Sequence, residues 1–167
     1  NSVRLTLQLD ENLPWVSIDH NQMKQVLLNL IHNALQAMPK GGELTIASSN
    51  VYLDEHYRKP YRTAPGPYVK ISVTDTGVGM DEDVKERIFE PFFTKKVMGR
   101  SGTGLGLAIV WGTVKDHHGY IDVQTEMGKG STFTLYFPMT QEGPDGQTPQ
   151  VEAQHYMGQG ESVLVVD

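Results

Sequence analysis

Three glycine clusters constrain this chain more than any other feature. DTGVGM (Asp75 to Met80) closes an alternating apolar run. GTGLGL (Gly102 to Leu107) opens a helical one, and MGKG (Met127 to Gly130) separates two further alternating runs. Glycine reaches backbone conformations closed to other residues and lets the main chain pass close to another group. Each cluster therefore marks a shaped loop at the end of a regular element.

The runs between the clusters predict those elements. Leu5, Leu7 and Leu9 alternate, which predicts a half-buried strand over Arg4 to Leu9 that stops before Pro14. Val16 and Ile18 predict a second short extended piece. Asp19 stands three residues before Gln22 in a capping-box pattern, and a stripe of Met23, Val26, Leu27, Leu30, Ile31, Ala34 and Leu35 follows at helical spacing. Pro39, Gly41 and Gly42 end that helix. Strands are expected over Glu43 to Val51 and Tyr68 to Asp75, with a polar loop from Tyr52 to Pro67. A short helix capped by Asp81 runs to Phe89, and Thr94 to Gly102 reads as an aperiodic loop. A third helix carries Leu105, Ala108, Ile109 and Gly112 and ends at Gly119. Tyr120 to Thr125 and Ser131 to Pro138 predict a hairpin with Phe133, Leu135 and Phe137 on one face. The sum is an α+β two-layer sandwich, a mixed and mostly antiparallel sheet with helices on one face.

Composition narrows the function classes. The chain has no cysteine, which excludes a disulfide framework, a thiolate nucleophile and cysteine-ligated metal. Fourteen basic residues against 20 acidic ones give a net charge of −6, a poor match for nucleic acid or an acidic membrane surface. No apolar run approaches the ~20 residues of a membrane span.

Three constellations could carry chemistry. Gln22, Gln25, Asn29, Asn33 and Gln36 form one face of the first helix, where Glu and Lys would be better helix formers. A carboxamide offers an oxygen to a hard cation and an NH2 to a phosphate, though the same face could be an ordinary polar surface. Asp75 shares parity with Val69, Ile71 and Val73 and so turns inward, where a carboxylate needs a donor. A purine amine is one, and a strand-end turn is the plainer alternative. GTGLGL exposes backbone N–H groups at a helix start, an anion-binding arrangement. It is neither a P-loop nor a dinucleotide fingerprint. Lys95, Lys96 and Arg100 just upstream could neutralise a triphosphate or form a solvated basic loop.

Taken together and in this order, the segments resemble the catalytic ATP-binding domain of a sensor histidine kinase, within the wider GHKL group of ATPases and kinases. LLNLIHNALQAM resembles its N box, DTGVGM its first glycine box, FEPFFTKK its F box, SGTGLGLAIV its second glycine box and GKGSTFTLYFP its closing hairpin. The match covers residues 1–139. Residues 140–160, rich in Gly, Pro, Gln and Glu, are expected to be a linker. VLVVD within 161–167 resembles the first strand of a receiver domain, which implies a hybrid kinase.

The resemblance implies a site for ATP and Mg2+. Asn33, assisted by Asn29, would hold the metal through side-chain oxygen. Asp75 would accept from the adenine amine, with Gly77, Gly79 and Met80 lining the base pocket and Thr132 near the base. Phe93, with Phe89 and Phe92, would pack the lid. Lys96, with Lys95 and Arg100, would reach the phosphates, and the segment Gly102, Thr103, Gly104, Leu105, Gly106 and Leu107 would fold over them. The lid departs from the commoner pattern at Lys95 and at Ser101. Chaperone and mismatch-repair relatives carry a glutamate base where this chain has Asn29, and a carboxamide is a poor base, so slow hydrolysis is expected. Transfer to a histidine on a separate phosphoacceptor and dimerisation domain is the implied reaction, with a receiver as downstream partner and a cytoplasmic setting. None of His20, His32, His56, His117, His118 and His155 has the acidic-then-proline context of that acceptor. His117 and His118 are expected at a helix C-terminus, where a cation is favoured. A nucleotide-free module acting through protein contacts and a hydrolysing ATPase are the alternatives.

Overall fold

The computed structural model describes residues 2–54, 64–94 and 103–141. Five strands and three helices follow in the order β1 (Val3–Leu9), α1 (His20–Ala37), β2 (Gly42–Leu53), β3 (Gly66–Asp75), α2 (Glu82–Arg87), α3 (Gly106–Asp116), β4 (Tyr120–Glu126) and β5 (Gly130–Pro138). The sheet order is β1-β2-β3-β5-β4, with β1 parallel to β2 and every other pairing antiparallel. The expected α+β sandwich on a mixed sheet is the fold observed. No helix among the described residues is long and apolar enough to cross a membrane. The expected linker beyond residue 141 and the receiver-like strand at 161–167 lie outside the described residues.

Helix α1 starts where its cap predicts. The Asp19 carboxylate accepts from the Gln22 N–H at 2.8 Å, one of the N–H groups a helix start leaves unpaired. Met23, Val26, Leu30 and Ala34 are buried beneath it against Leu44, Val73, Phe133 and Leu135. Helix α3 lies beside α1 and brings Val110 and Val114 into the same core. Phe133, Leu135 and Phe137 do face one side, the core side.

Two expectations need correction. Leu5, Leu7 and Leu9 are not half-buried: they stand 57%, 57% and 58% exposed. The alternation is real, and Val3, at the start of the same face, does pack against the core. But β1 is an edge strand, and α1 packs over β2, β3 and β5. The helix layer ends before it covers the β1 leucines.

Helix α3 also ends one residue earlier than its glycine suggested. His118, at φ 56°, takes the left-handed position. The Gly119 N–H then donates to Val114 O at 2.9 Å and the His118 N–H to Lys115 O at 3.0 Å, the paired bonds of a Schellman cap. His117 bridges two helices. Its Nδ1 lies 2.7 Å from Thr113 O and must donate, while Nε2 accepts from the Asp19 N–H at 3.0 Å. The ring ties the end of α3 to the start of α1.

Candidate nucleotide-binding site

Asp75, the last residue of β3, faces the core with 4% of its surface exposed. Burial pushes its carboxyl above the ordinary carboxylate value. Donation from the Gly77 and Ser131 backbone N–H groups pulls the other way, the Gly77 bond being 2.8 Å long. A carboxylate has about four lone-pair sites, so acceptor capacity remains for an incoming donor.

The first glycine loop is fastened on both sides. The Val78 N–H donates to Ala37 O at the end of α1 (3.1 Å), and the Gly128 N–H in the β4–β5 turn donates to Val78 O (2.7 Å). Gly79 has φ +66°, and a Cβ there would collide with the Glu126 carbonyl oxygen, so only glycine fits. The N box and the second glycine box meet directly. The Asn29 Nδ2 donates to Gly106 O at 3.2 Å, and its Oδ1 accepts from Gln25 Nε2 at 3.1 Å.

Phe92 and Gly104, which flank residues 95–102 in the sequence, are joined as well. The Phe92 N–H donates to Gly104 O at 3.0 Å, and Phe92 and Gly104 both have positive φ, 66° and 68°. Phe93 carries the Arg87 guanidinium 4.4 Å above its ring, and Phe89 packs on Trp111 with centroids 5.1 Å apart.

These elements enclose a cavity of about 430 Å³. It brings together Asn29, Asn33, Asp75, Gly79, Met80 and Phe93 with Thr103, Gly104, Gly106 and Leu107. Gly77 stands just behind, bonded to Asp75, and Leu105 is the residue preceding α3 and does not line the cavity. Lys95, Lys96, Arg100 and Gly102 lie outside the described residues.

Thr132 is not in the cavity. Its hydroxyl lies 3.0 Å from Thr74 Oγ1, and strand alternation sets it on the sheet face opposite Ser131 and Phe133, which do line the cavity. Asp75 pairs in register with Ser131, not Thr132. The alternation that turns Phe133, Leu135 and Phe137 inward turns Ser131 inward too, so this signal was present in the sequence. His32 and Gln36 also border the cavity, a His32 ring nitrogen lying 3.0 Å from Gln36 Nε2.

A buried, partly satisfied carboxylate, a face of carboxamides and a glycine loop entering a helix share one cavity. The chain belongs to the family described as Histidine kinase-, DNA gyrase B-, and HSP90-like ATPase, which matches residues 18–141. Among its relatives it is 42% identical over 137 residues to the sensor kinase CckA of Brucella abortus, covering 81% of this chain and 14% of that protein. It is 40% identical over 146 residues to the sensor histidine kinase ZraS of Escherichia coli K12, covering 86% of this chain and 28% of that protein. The chain thus spans under a third of either relative. Among solved structures, the nucleotide-free catalytic domain of histidine kinase ThkA superposes with a TM-score of 0.64 at 31% identity, covering 82% of this chain and 79% of that one. Full-length ShkA, solved in complex with AMPPNP, superposes with a TM-score of 0.63 at 28% identity, covering 82% of this chain and 26% of that one.

Proposed function

We propose that this chain binds ATP with magnesium between α1 and its two glycine loops, and delivers the γ-phosphoryl group to a histidine on a separate helical phosphoacceptor domain in two-component signalling. The observation that carries this reading is the buried Asp75 carboxylate facing a cavity whose other wall is Asn29 and Asn33. The free lone pairs of Asp75 accept from the adenine amine. Met80 and Gly79 flank the base, and the N-terminus of α3 offers backbone N–H groups to the phosphates.

The donor set fits magnesium carried in with its phosphates. Magnesium keeps several waters and takes only one or two protein oxygens alongside phosphate. Among the described residues no group of three or more His, Asp or Glu could hold a metal alone, and Asn33 and Asn29 supply carboxamide oxygens on one helix face. When bound, magnesium would neutralise charge on the phosphate oxygens. Asn33 and Asn29 would orient them, and Lys96, Lys95 and Arg100 would add positive charge. An acceptor imidazole nitrogen then forms the N–P bond as the bridging oxygen leaves with ADP. The downstream receiver partner and the cytoplasmic setting belong to the same proposal.

Asn29 cannot take a proton from water, so the nucleotide waits for its acceptor. The chain incubated with ATP and magnesium is expected to turn over slower than about 1 s⁻¹, the low end of ordinary enzyme rates. It should label no histidine of its own, and label a phosphoacceptor domain supplied in trans. Acid-labile phosphate on the chain alone, or faster hydrolysis, would contradict the proposal.

A further inference from the structure

Met80 and Ser131 both line the cavity, and they reach it from different elements, the first glycine loop and β5. One atom joins them. The Thr125 hydroxyl on β4 accepts from the Met80 backbone N–H at 2.9 Å, lies 2.9 Å from Ser131 Oγ and donates to Gly130 O at 3.2 Å. A threonine hydroxyl has one proton and two acceptor sites. Ser131 donating to Thr125 uses the second acceptor site, so the group is saturated by three partners from two segments. Ser131 in turn holds Asp75 through its backbone N–H. Thr125 is half-buried and does not itself line the cavity.

We propose that Thr125 is a positioning residue for the nucleotide base: its hydroxyl sets the width of the base slot by holding the Met80 wall against the Ser131–Asp75 wall. This rests on the nucleotide reading above. The Gly128 N–H to Val78 O bond between the same loop and hairpin lies further out at the turn, and Thr125 supplies the bond made by the Met80 amide itself. Base selectivity is therefore set partly by a side chain behind the pocket.

The test compares Thr125→Val, which keeps the shape and removes the hydroxyl, with Thr125→Ser, which keeps the hydroxyl. Magnesium-bound ATP, GTP and inorganic tripolyphosphate are titrated into each 167-residue chain. Thr125→Val should weaken ATP binding about tenfold, the equivalent of one lost hydrogen bond. It should narrow the ratio of ATP to GTP affinity and leave tripolyphosphate binding unchanged. Thr125→Ser should stay within about twofold of the parent for all three. Equal ATP affinity and selectivity in Thr125→Val would overturn the proposal, as would equal loss for ATP and tripolyphosphate, which marks general damage. A parent chain that binds no ATP overturns the nucleotide reading instead. If Thr125→Val does not fold, hydrogen exchange in the parent decides. The Met80 amide is expected to be protected, and more so with ATP than with tripolyphosphate; exchange at the rate of an open loop, or equal protection by both, contradicts the role.

Discussion

Asp75 illustrates how a buried carboxyl weakens the fold that carries it. Its carboxyl titrates above the ordinary 3.8 because burial outweighs its two backbone donors. A carboxyl with a raised folded pKa contributes stability that is fully present below the unfolded value and lost as pH rises through the folded one. Asp75→Asn removes that titration while keeping an oxygen for the Gly77 N–H. Urea unfolding at about pH 4 and about pH 8 should show the variant gaining on the parent at the higher pH. An unchanged difference between the two conditions would refute the sign. His118 is a second residue-scale case. Its left-handed backbone costs a side chain about 1 kcal/mol that glycine avoids, so His118→Gly should stabilise the fold by about 0.5–1 kcal/mol. The sequence signals were ambiguous here: a helix ending in His117-His118-Gly119 invites the glycine into the left-handed position. Only the paired bonds to Val114 and Lys115 show that the chain turns one residue sooner.

At the scale of elements, what the sequence foretold and what it did not divide by whether one periodicity decides the matter. Helix α1 and strands β3 and β5 carry unbroken apolar patterns, and their cores match expectation except at Leu35, the last residue of the α1 stripe, which is exposed. Asp75 followed from the parity of Val69, Ile71 and Val73. The parity of Phe133 points to Ser131, whereas the motif position points to its neighbour Thr132. The bonds between elements leave no such trace. Asn29 to Gly106, Val78 to Ala37 and Thr125 to Met80 join segments 77, 41 and 45 residues apart. They depend on how α1, the glycine loop and the hairpin are stacked. Gly79 shows the tightness of that stacking. Gly79→Ala would drive a methyl group into the Glu126 carbonyl and force the loop off the hairpin, at a cost of about 3 kcal/mol or more. Thermal unfolding should reveal it; a variant as stable as the parent would mean that the loop is not held against β4.

At the scale of the molecule, and among the described residues, the helix layer covers β2 to β5 and leaves β1 as an edge bearing Leu5, Leu7 and Leu9. Surface substitutions away from caps and buried groups change stability by less than about 0.5 kcal/mol, so Leu7→Thr should be close to neutral. A loss of 2 kcal/mol or more would mean that the leucine is buried in solution. The cavity between α1, α3 and the glycine loops lies on the covered half of the sheet. In the proposed site a purine is held edge-on by the inward carboxylate of Asp75. Calorimetric titration of a magnesium-bound, non-hydrolysable ATP analogue into the parent and into Asp75→Asn tests this most directly. Saturable binding by the parent and at least a tenfold loss in the variant are expected, the value of a hydrogen bond to a charged acceptor. Equal affinity in both would contradict it.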